Sequence, residues 1–296
     1  MKSMVSKAEI SPGRTSSKCD PPVPTGKWDK DHLIFNGEPV SVNKKINIIQ
    51  GKGKFLGGGG GVTELVERLM SGDVIKSPWT GRPTASDCRR EMAIEAQIYE
   101  KLGKHPRLVQ LKRWDPIDHT LTLEYMPHGN LREYVEKHGE NISTPQKQKW
   151  ATEAAEGVEL LHSKGVIQGD VGPHNFLLDG DLNLKICDFA GSSLDGSLAT
   201  VVPRMRYRLP SLAWRHTQVV TIKEDLFALG STIYFIATGH EPHDELTDEE
   251  EVEKLYADGI FPELGGVPFA EAIELCWRQK AESTQRVVEI ARRPSH

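Results

Sequence analysis

The sequence predicts an α+β fold of two lobes, a small β-rich lobe carrying one helix and then a larger, mainly helical lobe. Residues 43–126 hold short β-like runs set between turns, with one long helical pattern among them. Beyond residue 127 helical periodicity takes over. A length of 296 residues allows one large domain or two lobes and excludes a module of a few dozen residues.

Residues 1–42 are rich in Ser, Pro, Lys and Gly and show little periodicity, so a mobile leader is expected there, although "DHLIFNG" fits a short strand. From 43 to 126 the β-like runs are "INIIQ", "TELVERL", "DVIKS" after the Ser71-Gly72 turn, "LVQLKRW" and "TLTLEYM". The single helix of this lobe is read in "DCRREMAIEAQIYEKL", with Met92, Ile94, Ile98 and Leu102 as its apolar face and Pro106 just beyond its end. The second lobe, 127–296, begins with the helical "NLREYVEKHG". Thr144 as N-cap and Pro145 at the first helical position open the next helix, in which Trp150, Ala154, Val158 and Leu161 keep helical spacing up to Gly165. Further helices are read in "EDLFALGSTIYFIATG", in "DEEEVEKLYADG" behind a Thr247/Glu250 capping box, and in "FAEAIELCWRQKAESTQRVVEIARR".

Composition narrows the function. A formal net charge of -5 and an isoelectric point near 6.1 leave no basic footprint, so nucleic acid is not an expected partner. No apolar run reaches the length of a membrane span and the N-terminus lacks a secretory apolar core, so an intracellular protein, cytoplasmic or nuclear, is expected. Cys19, Cys88, Cys187 and Cys276 lie too far apart in sequence for a zinc or disulfide spacing pattern and read as free thiols. No oligomeric state is read from the sequence.

The chemistry concentrates in "VIQGDVGPHNFLLDGDLNLKICDFAGS", where Asp170 and Asp188 stand 18 positions apart in apolar or glycine-rich surroundings, with Asn175 between them. Upstream, "FLGGGGGVTELV" is a glycine run between two β-like runs, where missing side chains let backbone N–H groups approach phosphate oxygens. Lys76 closes the apolar run "DVIKS", and a lysine buried there needs an anion.

In order and spacing these features resemble the eukaryotic protein kinase superfamily, and in detail its small divergent fungal serine/threonine protein kinase-like members. The resemblance covers roughly residues 50–290. It implies a bilobal protein-kinase-like fold, ATP and Mg²⁺ as cofactors, and a protein substrate with a Ser or Thr acceptor. Asp170 takes the place of the catalytic base, and Asn175 and Asp188 those of the Mg²⁺ ligands. Lys76 resembles the strand lysine that holds the phosphates; its helix partner is Glu95, with Glu91 as rival. Gly59 and Gly61 match the first two glycines of the phosphate loop and Val66 its valine, while Glu64 stands where a third glycine is usual. "TLTLEYMPHGNL" resembles the hinge, with Leu123 as gatekeeper and Glu124 and Met126 at the adenine-contacting positions; Leu56, Val66, Val74 and Leu177 would enclose the ring.

Departures from the family pattern accompany the matches. Gln168 and Gly169 replace His-Arg, Gly172 replaces the catalytic-loop lysine, Ala190 replaces the glycine after Phe189, and Ser211 and Thr284 stand where a glutamate and a buried arginine pair. Asp225 matches the aspartate that braces the catalytic loop. With Gly169 in the arginine's place, phosphates on Ser192, Ser193, Ser197 or Thr200 lack their usual receiver, and Arg204, Arg206 and Arg208 are expected to face substrate or solvent. Two alternatives stand beside a slow protein kinase: a pseudokinase that binds nucleotide or scaffolds, and a small-molecule phosphotransferase of the aminoglycoside or choline kinase type.

Overall fold

A computed structural model describes residues 27–29, 32–35, 38–41, 53–57, 64–69, 71–78, 85–210 and 220–293. Strands β1 (Lys27–Asp29), β2 (His32–Phe35) and β3 (Glu38–Ser41) form an antiparallel meander, and β2 is the strand that "DHLIFNG" allowed. The run "INIIQ" lies outside the described residues.

The small lobe is a five-stranded antiparallel sheet. Its strands are β4 (Gly53–Gly57), β5 (Glu64–Leu69), β6 (Val74–Pro78), β7 (Leu111–Asp115) and β8 (Thr120–Leu123), in the order β4-β5-β6-β8-β7. Helix α1 (Ala85–Leu102) packs against β6 and β8. Its buried stripe is Cys88, Met92, Glu95, Ala96, Tyr99 and Leu102, with Ile98 beside it, while Ile94 is only half-buried. The i, i+3/i+4 spacing of that stripe admits a glutamate among apolar residues, which an apolar-only count passes over.

The large lobe is built on α3 (Thr144–Ser163) and α4 (Ile222–Thr238), preceded by α2 (Leu131–His138) and followed by α5 (Glu249–Ala257), α6 (Ala270–Trp277) and α7 (Thr284–Ala291). Trp150, Ala154, Val158 and Leu161 of α3 are all fully buried, as their spacing predicts. Two caps differ from expectation. Ser143, not Thr144, caps α3, its Oγ accepting from Gln146 N at 3.3 Å, so Pro145 is the second helical residue. Asp248, not Thr247, caps α5, accepting from Glu250 N at 2.9 Å. In both places two adjacent residues are good caps, and sequence spacing alone cannot choose between them. The capping box belongs to α4, where Thr221 and Glu224 make both of its bonds. The terminal helical stretch is two helices, separated at 278–283.

Between α3 and α4 run four short strands: β9 (Val166–Ile167), β10 (Phe176–Leu178), β11 (Leu184–Ile186) and β12 (Ser193–Leu194). β10 pairs with β11 and β9 with β12, both antiparallel. These hairpins hold the motif stretch on top of α3, with Phe176, Leu178, Leu184 and Ile186 turned into the core. Cys88, Cys187 and Cys276 are buried. Among the described residues, no helix is long and apolar enough to cross a membrane.

Candidate active site

Three charged side chains from three elements meet under the small sheet. Lys76 points from β6 into the lobe, with 3% of its side chain exposed, and its Nζ lies 2.6 Å from Glu95 Oε2 and 2.8 Å from Asp188 Oδ1. Glu95, fully buried on α1, accepts a further bond from Phe189 N at 3.3 Å through its other oxygen. The lysine thus has the anions its burial requires, and the helix, the strand and the segment after β11 are tied at one point. Glu91, the rival partner, lies one turn earlier on α1 and instead accepts from the Thr200 hydroxyl at 2.9 Å.

Asp188 itself adopts a left-handed backbone, φ 65°, which turns its side chain toward Lys76 while Phe189 drops into the core. The Phe189 ring meets the Tyr99 ring edge-on, with centroids 5.0 Å apart. Burial, aided by the charge of nearby Glu95, pushes the Tyr99 phenol well above its ordinary pKa, so it stays neutral. Ala190 needs no positive φ; that demand falls on Gly191 at φ 84°, where a side chain would also collide with Thr200 and Val201.

The loop before β10 is fixed from below by Asp225. Its buried carboxylate accepts from the backbone N–H groups of Gln168 and Gly169, both at 2.8 Å, and contacts His162 Nε2 at 2.9 Å. Gln168 then links the two aspartates of the motif. Its Oε1 accepts from Asp170 N at 2.7 Å and its Nε2 donates to the Asp188 carbonyl at 3.1 Å. Against the family pattern Gln168 reads only as a loss; a side-chain amide offers a donor and an acceptor at once, and here it uses both.

Asp170 and Asn175 lie together: Asn175 Nδ2 donates to the Asp170 carbonyl at 2.9 Å and reaches its Oδ2 at 3.3 Å. His174 Nε2 lies 3.0 Å from the same Oδ2. Neither contact uses the amide oxygen of Asn175; an amide oxygen and a carboxylate such as that of Asp188 are oxygen donors of the type Mg²⁺ can take.

At the back of the cleft Leu123 and Val74 are cross-strand partners and both buried, and Leu177 on β10 is half-buried. The Glu124 amide donates to Gln110 O at 3.0 Å, and its carboxylate turns away to accept from Gln110 N at 2.9 Å and Lys185 Nζ at 2.7 Å. Met126 is buried, its carbonyl accepting from Gly129 N. Val66 lies across from Lys76 on the neighbouring strand, half-buried. Leu56 falls at the register shift between Phe55 and Gly57 in β4; Gly59 and Gly61 lie outside the described residues, as does Ser211.

A family model described as the protein kinase domain matches residues 56–285. The chain belongs to the protein kinase family. The chain is 26% identical over 228 residues to a probable serine/threonine-protein kinase of Dictyostelium discoideum, covering 70% of this chain and 24% of that protein. A serine/threonine/tyrosine-protein kinase of Arabidopsis thaliana is 25% identical over 225 residues, with 72% and 56% covered. A CBL-interacting serine/threonine-protein kinase of the same plant is 29% identical over 190 residues, with 62% and 41% covered. The chain therefore spans less than two thirds of the length of each of these relatives.

Within this kinase domain, two expectations about cations and hydroxyls change. Arg206 faces neither substrate nor solvent: its guanidinium is largely buried and donates to the carbonyls of Pro242 at 2.8 Å and Leu246 at 2.6 Å, tying the segment before α4 to the segment after it. Ser192 and Ser193 are buried, and their hydroxyls donate to Gln168 O at 2.9 Å and Ser197 O at 2.5 Å. Only Ser197 and Thr200 of the four hydroxyl residues are exposed. A run of serines carries no sign of which hydroxyls fold inward.

Proposed function

We propose that the chain is a serine/threonine protein kinase that transfers the γ-phosphate of ATP, in a Mg²⁺-dependent reaction, to hydroxyls of protein substrates. The observation that carries this reading is Lys76 held between Glu95 and Asp188, with Gln168 joining the Asp188 carbonyl to the Asp170 amide. Such a chain of contacts fixes a cation, a metal-binding carboxylate and a base relative to one another before any ligand binds, which is how electrostatic catalysis is pre-organised.

Lys76 would exchange one carboxylate contact for the phosphates of the nucleotide. Asp188 and Asn175 would hold Mg²⁺, which supplies neutralising charge for the phosphates. Among the described residues no cluster of three or more His, Cys, Asp or Glu is placed to hold a metal, and two protein oxygens completed by phosphates and water match how Mg²⁺ is usually held. Asp170 accepts the proton of the acceptor hydroxyl as its oxygen bonds the γ-phosphorus and the bridging bond breaks, its electron pair leaving with ADP. Glu124, its side chain engaged with Lys185, leaves backbone rather than carboxylate to meet an adenine edge.

The test is calorimetric titration with Mg-ATP followed by radiolabelled transfer to generic proteins, peptides and aminoglycosides. Asp170→Asn is expected to keep Mg-ATP affinity while lowering turnover about 10²- to 10⁴-fold, and Asp188→Asn to weaken metal-dependent nucleotide binding. Mg-ATP binding without transfer to any acceptor points to a pseudokinase and overturns the proposal, as does labelling of aminoglycosides alone.

A further inference from the structure

The two oxygens of the Asp170 carboxylate are treated differently by the fold. Oδ2 takes both nearby donors, His174 Nε2 at 3.0 Å and Asn175 Nδ2 at 3.3 Å. Oδ1 is buried and has no hydrogen-bond partner among the described residues. An ionised carboxylate only accepts, so the tautomer required of His174 carries its proton on Nε2; Nδ1 of the same ring is also buried without a partner.

Gly172 explains how the ring reaches this position. Its φ is not in the left-handed region, so the backbone there does not require glycine. Space does: a Cβ on Gly172 would lie 2.5 Å from Cε1 and 2.8 Å from Nδ1 of His174. Any other residue would push the imidazole off Asp170.

We propose that His174 is a positioning residue for the base: its Nε2–H holds Oδ2 of Asp170 and so fixes the rotation of the carboxylate that meets the acceptor hydroxyl, and Gly172 provides the room for the ring. The inference rests on the reading of Asp170 as that base. A carboxylate held through one oxygen cannot rotate to share its proton-accepting edge between two directions, and fixing that geometry before the substrate arrives raises turnover rather than binding. A hydrogen bond to a charged partner is a sizeable interaction, so its loss should be readable in kcat.

The experiment compares the wild-type chain with His174→Phe, which keeps a ring but no donor, and His174→Gln, whose amide nitrogen can reach the same oxygen. Each is measured for kcat, for KM with ATP, for calorimetric Mg-ATP affinity and for melting temperature. His174→Phe is expected to lower kcat about 10- to 100-fold, with Mg-ATP affinity within about twofold, and His174→Gln to recover most of the loss. Gly172→Ala should lower kcat in the same direction, and the Gly172→Ala/His174→Phe double variant should be no slower than the slower single one, because both remove the same bond. Should His174→Phe fail to fold, His174→Asn replaces it: the shorter amide cannot reach Asp170, and the Gln/Asn contrast carries the test. A folded His174→Phe protein with kcat within about twofold of wild type overturns the inference and leaves the kinase reading standing, as does an Asn variant as fast as Gln. Wild type that transfers no phosphate removes the kinase reading itself, and this inference with it.

Discussion

Asp225 is the residue through which the fold most directly controls the candidate base, and replacing it by asparagine tests that control. Its side chain, 1% exposed, receives two backbone N–H bonds of 2.8 Å, from Gln168 and Gly169, and a contact of 2.9 Å from His162. Asparagine keeps one acceptor oxygen and turns an NH₂ group toward a donor. With the amide oxygen in the Oδ2 place, the bonds from Gln168 and His162 become neutral, the charge-assisted bond from Gly169 is lost, and a buried NH₂ is left facing that donor. Bonds to charged groups contribute about 1.5 to 3 kcal/mol and an orphaned buried donor costs about 1 to 3 kcal/mol. Partial relaxation of the loop offsets some of this, so Asp225→Asn should destabilise by about 2 to 4 kcal/mol. Alanine would orphan all three donors and consume much of a domain's net stability, typically about 5 to 15 kcal/mol, which makes asparagine the usable variant. Urea unfolding followed by far-ultraviolet circular dichroism and by tryptophan fluorescence reads the midpoint, with coincidence of the two probes as the check on two-state behaviour. A midpoint shift worth less than about 0.5 kcal/mol at unchanged slope would refute the argument that these three bonds are what seats the loop.

Other consequences are open to direct measurement. Lys76→Met leaves the buried Glu95 without its cation and should cost about 3 to 5 kcal/mol in chemical denaturation, while Lys76→Met/Glu95→Leu should regain much of that stability without regaining Mg-ATP affinity; a double variant as unstable as the single would contradict this. Asp179, at the β10–β11 turn, resists ionisation through partial burial, but bonds from the Asn183 side chain and amide and from the Asp181 amide outweigh this and lower its pKa. The stability it contributes is therefore present above its unfolded value, about 3.9, and is lost as pH falls through the lower folded value. Asp179→Asn should flatten the acid limb of a stability-versus-pH curve, and an unchanged limb would count against it. Ser197→Ala/Thr200→Ala should change specific activity less than about threefold, under about 0.7 kcal/mol in the barrier, because no side chain at Gly169 waits to receive a phosphate. Ser192→Ala should instead lower stability by about 1 kcal/mol through loss of its bond to Gln168 O, seen as a lowered melting temperature.

Strong local signals made most of the fold legible in the sequence. The helical spacing of Trp150, Ala154, Val158 and Leu161 and the β-like run "DVIKS" after its turn each had one physical reading, and each element is where it was expected. Lys76 could be placed because a lysine ending an apolar strand demands an anion, but the preference for Glu95 over its rival Glu91 came from the family resemblance and not from the residues themselves. The two differ by one helical turn, and only the orientation of α1 on the sheet decides which carboxylate faces inward. Gln168, His174 and the inward hydroxyls of Ser192 and Ser193 were not legible at all. Their contacts join residues through loop backbone whose path no periodicity encodes. The one signal pointing to His174 is the glycine two residues before it, which reads as a deletion of side chain until the imidazole is seen over it.

The departures from the family pattern share one physical direction. At Gln168 an amide replaces a titratable ring and makes two neutral bonds that join Asp170 to Asp188. At Gly169 the backbone is left-handed, φ 77°, and a Cβ would meet Val201 at 2.9 Å, so the segment after Asp188 packs directly against the loop where a side chain would otherwise intervene. At Thr284, buried on α7, the hydroxyl lies 2.6 Å from His162 Nδ1, and the same imidazole reaches Asp225, which in turn holds Gln168 and Gly169. Uncharged side chains thus stand at three positions where the family pattern has ionisable residues, each beside the loop that carries Asp170 or linked to it through the buried Asp225 carboxylate. Neutral hydrogen bonds and van der Waals contact need no phosphate to complete them and lose little to salt, whereas ionic contacts respond to both. A loop seated in this way should keep its geometry whether or not a hydroxyl of the following segment carries a phosphate.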